Sequence, residues 1–376
     1  MTKVIGIDLG TTFSAIASLD DLGNPEVLAS IEDNRKITAS AVYLKDNEVI
    51  VGDKALTYLK DQSNNVILQT KREMENDVVY STDQGKWVSD TDLVDAYTPA
   101  QVSALILKKL KEYTSDVKKV VITVPAMFAE KARQATLDAA KIADLEVIEL
   151  INEPTAAVLH YASLPGVEVG GRVMIFDLGG GTFDVTFAEV KNKKVDVLTS
   201  RGDKYLGGRD FDNEITKLMK KKYFDIHNVE IDIENNKQYL HKAEEIKKIL
   251  SVKDKANIEI NGPKGLQKIE ITQDEFEESI QTYIEKIKML IEEAMDASGM
   301  NPSRINQTLL VGGSTRMPII TKVLTQLMGK PPVKGVNVDE AVVCGAAIYA
   351  GLKTEKETLS DEQQEALKDV NLTDVC

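Results

Sequence analysis

Asp8 and Asp177 each close an apolar run and are followed at once by small residues that end in threonine. Residues 5–12 read IGIDLGTT and residues 175–182 read IFDLGGGT. Small residues in a tight turn leave backbone N–H groups open to an anion, and threonine hydroxyls add donors, so these strings suit phosphate. A carboxylate beside each turn suits a divalent cation, which for magnesium would be held through water. One such string reads equally well as an ordinary hairpin; two in the same register argue for a shared site. A third stretch, Gly312-Gly313-Ser314-Thr315-Arg316, follows an apolar run and precedes Pro318. That order, strand then glycine loop then helix, favours an anion at the helix start.

The elements that must carry these groups can be read from period and punctuation. Residues 13–19 and 183–187 alternate with period two, so each repeat continues as strand, tight turn, strand. That excludes the phosphate loops that run from strand into helix, and no GxxxxGK[ST] or GxGxxG string occurs. Between the repeats, Val120–Val124 reads as a buried strand closed by Pro125, residues 129–143 as a helix and Glu146–Ile151 as a further strand. Pro154 then sits in the first turn of a helix opened by Asn152-Glu153. Strands alternating with helices imply an α/β class. The glycine-rich segment Pro165–Gly171 marks a boundary between halves. Beyond it, residues 213–223 and 237–250 read as amphipathic helices, and residues 258–271 as short strands about Gly262-Pro263. Residues 274–297 read as one long helix, and Pro318 opens a helix to about Leu327.

Composition narrows the function. The 376 residues suffice for two domains, and 60 acidic against 46 basic residues give a net charge of −14, which disfavours general nucleic-acid binding. No apolar stretch is long enough to span a membrane, and the start lacks the shape of a signal peptide; the expectation is a cytoplasmic protein. With three histidines, two cysteines, no CxxC and no HExxH, neither a built zinc site nor a disulfide framework is expected. Cys344 reads as a small buried residue in a packed helix.

The strings IDLGTT (7–12), INEPTAA (151–157), FDLGGGTFDV (176–185), GDKYLGGRDFD (202–212) and LVGGSTRMP (310–318) resemble the ATPase domain of the DnaK-type heat-shock chaperones, the heat shock protein 70 family. The resemblance implies an actin-like ATPase fold: two ribonuclease-H-like lobes, each with an inserted subdomain, and ATP or ADP with magnesium, and potassium as a further ion, in the cleft between them. It implies lobe I at residues 1–170 with its upper subdomain at about 38–97, and lobe II at 171–360 with its upper subdomain at about 207–290. Residues 361–376 would be a helix end and the interdomain linker.

By the same resemblance, Gly10, Thr11, Thr12 and Phe13 form the first phosphate turn and Gly179, Gly180, Gly181 and Thr182 the second, with Gly207 and Gly208 nearby. Asp8, Glu153 and Asp177 surround the magnesium hydration shell. Lys71 faces the γ-phosphate and the attacking water, which Thr182 and Asp184 position. Glu244, Lys247, Lys248 and Ser251 grip ribose and adenine, and Gly312, Gly313, Ser314, Arg316 and Asp339 complete the adenosine pocket. A branched side chain at Gly180 or Gly313 is expected to collide with ligand or backbone.

Two departures from the family pattern stand out. Arg209 occupies a position where glutamate is usual, altering a polar contact across the cleft. The segment from Lys71 to Pro125 is short, which puts the usual exchange-factor contact in doubt and, with the ending LTDVC, looks like the HscC-type branch. The resemblance implies a J-domain co-chaperone partner, and a client-binding domain that does not follow the motifs in these residues. Val370, Leu372 and Val375 would dock the linker as a short extended segment. Two other readings of the same fold are a sugar kinase and an actin-like filament ATPase.

Overall fold

The computed structural model describes residues 4–373 apart from 47, 62, 94, 116, 165–170, 192, 235 and 334–336. Most of the segment Pro165–Gly171 therefore lies outside the described residues, as does Val375. Two five-strand paths share one local arrangement around their motif strands. In the first, Ile5–Asp8 pairs in parallel with Lys119–Val124 on one side and antiparallel with Phe13–Leu19 on the other. Glu146–Asn152 and Pro25–Val27 close the two edges. In the second, Gly171–Leu178 pairs in parallel with Gln307–Val311 and antiparallel with Phe183–Lys191, and Lys194–Asp203 and Asn371–Thr373 extend that side. The sequence repeat is thus a repeat of sheet topology. Its registers differ in chemistry: Asp8 lies opposite Ala15, whereas Asp177 lies opposite Asp184.

Both central strands are buried on both faces, as parallel-paired strands must be when helices cover them. The helix Ala341–Lys353 is apolar on every side and buried over almost its whole length. Although its sequence lies in the second half, it packs on the first half's strands and on the helix Glu153–Ser163. Glycines permit that approach. A Cβ at Gly345 would stand 1.7 Å from the Ala156 carbonyl oxygen, and one at Gly6 would stand 2.2 Å from the Ala347 nitrogen. Cys344 is buried within this helix, as the sequence predicts.

Smaller elements stand above each sheet. Three-strand sheets at Ala41–Lys45, Glu48–Val51 and Val66–Leu68, and at Val79–Ser81, Lys86–Val88 and Ala96–Tyr97, belong to the first half. The hairpin Lys255–Gly262/Gly265–Thr272 and the helices Gly208–His227 and Lys237–Leu250 belong to the second. The helix expected at residues 274–297 is instead two, Gln273–Ser279 and Gln281–Ser298, with Ile280 between them at φ −99° and ψ 5°. Thr272 and Glu275 cap the first of these reciprocally, and fully buried Ile280 anchors the break in the core. The mixed charge of this stretch does not record such a turn. Among the described residues, no helix is long and apolar enough to cross a membrane.

Candidate functional site

The turns of the two repeats meet face to face. A Cβ on Gly180 would stand 1.9 Å from Thr12 Oγ1, and one on Gly181 would stand 2.6 Å from Thr11 Cγ2. Each turn is braced from behind. Ser40 Oγ donates to the Gly10 carbonyl at 2.8 Å, Ser14 Oγ lies 2.8 Å from Ser40 Oγ, and the Gly10 N–H donates to Ser14 at 3.1 Å. In the second turn the Gly179 N–H donates to the Thr182 carbonyl at 3.0 Å, and Ser314 Oγ donates to the Gly179 carbonyl at 3.0 Å. The helix Gly208–His227 begins against this turn, its Gly208 and Arg209 N–H groups bonding the Gly179 and Gly180 carbonyls at 2.9 and 2.8 Å.

A cavity of about 600 Å³ opens above the meeting point and is lined from both halves. Asp8, Gly10, Thr11, Thr12 and Phe13 reach it from the first turn, and Gly179, Gly180 and Thr182 from the second. Lys71, Glu153, Asp177 and Gly208 also line it. Three expected residues do not. Gly181 and Gly207 pack on each other, since a Cβ on Gly207 would stand 2.6 Å from the Gly181 nitrogen. Asp184 is 1% exposed and lies beneath the surface.

The floor is electrostatically unusual. Burial raises the carboxyl groups of Asp8 and Glu153, and Lys71 partly opposes both shifts. Burial raises Asp177 well above the ordinary range, with Glu153, Asp184 and Asp8 adding repulsion. Asp184 is pushed up to about 8, by burial first and then by Glu153. Thr123 donates to Asp8 at 2.7 Å, and Lys71 pairs with Glu153. Asp184 Oδ1 has no hydrogen-bond partner among the described residues. Three buried carboxylates and half-buried Asp8 thus share one nearby ammonium, and a cation would relieve their repulsion. Among the described residues, no three His, Cys, Asp or Glu side chains converge closely enough to ligate an ion directly, so the donor set fits a hydrated ion rather than a stripped one.

The opposite wall is polar and paired. Glu244, Lys247, Lys248 and Ser251 face the cavity from one side of the helix Lys237–Leu250 and its cap, at the i, i+3, i+4 and i+7 spacing that shares a face. Lys248 pairs with Glu244 at 2.7 Å and lies over the Phe13 ring at 5.4 Å. Lys247 instead bonds Asp212 and the Gly208 carbonyl, each at 2.8 Å. Gly312, Gly313, Ser314, Arg316 and Asp339 close the end of the cavity, with Arg316 Nη1 2.7 Å from Asp339 Oδ1. Gly312 adopts φ 84° and a Cβ there would meet the Leu178 carbonyl at 2.4 Å, whereas a Cβ on Gly313 would have no neighbour nearer than 3.6 Å. Against the protein's own atoms, the close approach in this loop is therefore at Gly312.

Sequence reasoning passed over two groups. Asp212 lies inside a motif singled out in the sequence and holds Lys247. Ser40 braces Gly10 from 30 residues away with no local signal to mark it.

The family model for Hsp70 protein matches residues 4–376 of the chain. The curated protein named "Chaperone protein dnaK" from Thalassiosira pseudonana is 37% identical over 380 residues, covering 94% of this chain and 62% of its own length. The "Chaperone protein DnaK" of Thermosipho africanus (strain TCF52B) is 37% identical over 391 residues, covering 99% of this chain and again 62% of its own length. The chain thus spans less than two thirds of the curated relatives it matches.

Proposed function

The chain belongs to the Hsp70 family, and from that premise we propose that it binds ATP in the cavity between its halves and hydrolyses it to ADP and phosphate. The observation that carries this reading is the convergence of the two turns, Gly180 and Gly181 against Thr12 and Thr11, over a floor of buried carboxylates. Two sets of backbone donors facing one point suit a polyphosphate better than a single phosphate. The whole-chain family match leaves the sugar-kinase and filament readings without support.

In this reading Gly10 to Phe13 and Gly179, Gly180 and Thr182 grip the β- and γ-phosphates, with Gly181 packed behind them. Lys71 stabilises charge that develops on the γ-phosphate, and Thr182, with buried Asp184 behind the cavity wall, orients the attacking water. Asp8, Glu153 and Asp177 would hold a hydrated magnesium ion, which supplies charge neutralisation along the phosphates. Glu244, Lys247, Lys248 and Ser251 take the ribose and adenine from one side, and Gly312, Gly313, Ser314, Arg316 and Asp339 from the other.

The paired sheets support an actin-like arrangement of two ribonuclease-H-like lobes. Lobe I would span residues 1–170 with its upper subdomain at about 38–97. Lobe II would span 171–360 with its upper subdomain at about 207–290, followed by a linker region at 361–376. Closure of the lobes on nucleotide would then be relayed through that linker to a client-binding domain, under a J-domain co-chaperone, in the cytoplasm. Asn371–Thr373, paired in parallel with Lys194–Asp196, supports such a relay.

Calorimetric titration with ATP and ADP, with and without magnesium, together with phosphate release, tests the reading. Magnesium-dependent binding and slow turnover that a sugar does not accelerate are expected. No nucleotide binding would overturn it.

A further inference from the structure

Arg209 lines the cavity, yet its guanidinium has no carboxylate within 4.0 Å and no hydrogen-bond partner among the described residues. The carboxylates nearest in charge to it are Asp212, Asp210 and Glu244. Each is already engaged: Asp210 with Arg72 at 2.6 Å, Asp212 with Lys247 at 2.8 Å and Glu244 with Lys248 at 2.7 Å. Lys237, which donates to the Ser63 and Val66 carbonyls and to Tyr80, adds a further cation whose charge Arg209 opposes. Five cations therefore face three carboxylates around this wall. Burial disfavours the charge on Arg209; Asp212 opposes that effect and Arg72 alongside adds to it. A partly buried guanidinium with no partner is costly unless an anion completes it.

The backbone fixes where that anion would lie. The Arg209 N–H bonds the Gly180 carbonyl at 2.8 Å, and Gly180 is the residue against which Thr12 of the opposite turn abuts. Arg209 leaves the chain where the two turns converge, with a planar fork that matches phosphate oxygens.

We propose that Arg209 contacts a phosphate beyond the α-position of the bound polyphosphate, and so sets this site's preference for nucleoside di- and triphosphates over monophosphates. This rests on the reading of the cavity as a nucleotide site. It assigns Arg209 a ligand contact of its own rather than a structural pairing across the cleft.

The test is calorimetry on the 376-residue chain and on its Arg209→Gln and Arg209→Lys variants, with ATP, ADP and AMP as probes. Losing one charge-assisted contact should weaken ADP and ATP about tenfold in Arg209→Gln, with AMP little changed and melting temperature retained. Arg209→Lys should recover part of the loss for ADP and ATP. Equal weakening of all three nucleotides would assign Arg209 a structural role and overturn the proposal, as would unchanged ADP affinity in a parent that binds ADP. A parent that binds no nucleotide would instead overturn the reading of the cavity, and this inference with it. Should Arg209→Gln fail to fold, Arg209→Lys decides alone: weakened ADP with unchanged AMP supports the contact, and no change in either overturns it.

Discussion

Arg72 and Asp210 meet across the cleft, Nη2 2.6 Å from Oδ2, with both side chains 14% exposed. Arg72 Nε also donates to the Gly181 carbonyl at 3.2 Å, and Asp210 accepts the Gly207 N–H at 2.9 Å. The residue beside the catalytic candidate Lys71 is thereby tied to the second phosphate turn and to the start of the helix Gly208–His227. The strut ties the separation of the halves to the segment that carries Lys71.

Arg72→Ala should lower phosphate release more than nucleotide affinity, because it frees the segment that carries Lys71. Leaving Asp210 without its charged partner should also cost about 1.5–3 kcal/mol of stability. A double-mutant cycle with Asp210→Asn measures the coupling. Strictly additive losses would show that the pair does not act as a unit.

Lys71→Ala should retain nucleotide binding while single-turnover hydrolysis falls about 10²–10³-fold, the usual effect of removing one preorganised positive group. Rapid-quench measurement at saturating ATP checks this. A rate within twofold of the parent, roughly 0.4 kcal/mol, would remove Lys71 from the reaction.

Gly180→Val should abolish tight binding with native circular dichroism, since a Cβ there would stand 1.9 Å from Thr12 Oγ1. Gly313→Ala should bind nearly normally, because its Cβ has 3.6 Å of clearance from Asp339. Titration of both variants compares the two loops directly. Equal affinities would contradict the geometry of the turns.

The ligand-free protein should lose stability as pH rises. Asp184 moves from an ordinary value of 3.8 to about 8 in the fold. The folded state therefore binds the proton more tightly, its stabilising effect is complete below 3.8, and it is lost as pH climbs through about 8. The slope is at most about 1.4 kcal/mol per pH unit for this one group. Melting curves of the parent and of Asp184→Asn between pH 5 and 9 test the assignment, roughly spanning the upper part of that window. Asp184→Asn should be flatter, and parallel curves would assign the slope elsewhere.

Leu372→Asp should alter basal turnover or its stimulation by a J-domain protein while leaving nucleotide affinity alone. Leu372 lies opposite Val195 in the parallel edge pairing and packs against the buried cluster around Val370. A charge there opposes docking of the edge strand. Phosphate-release assays with and without a J-domain protein give the answer, and identical rates under both conditions would detach this strand from the proposed relay.

The repeat, the strand–turn–strand form of each copy, the α/β alternation between them and the turn residues that line the cavity are legible in the chain's own pattern, whereas Lys71, Glu244, Lys247, Lys248, Ser251 and Asp339 are expected only through the family resemblance. The pattern features are local: an Asp, a run of small residues, a period of two or a proline at a helix start acts within a few positions of itself. Asp184 and Gly181 were legible as members of a motif but not as residues behind the cavity wall, because depth depends on what packs in front. The break at Ile280, the clearance at Gly313 and the bracing of Gly10 by Ser40 were decided only by tertiary structure. So were the Arg72–Asp210 strut, 138 residues long in sequence, and the isolation of Arg209 after its three neighbouring carboxylates had each taken another cation. Such choices are settled by competition among groups brought together from both halves, and a linear sequence carries the competitors without the distances at which they compete.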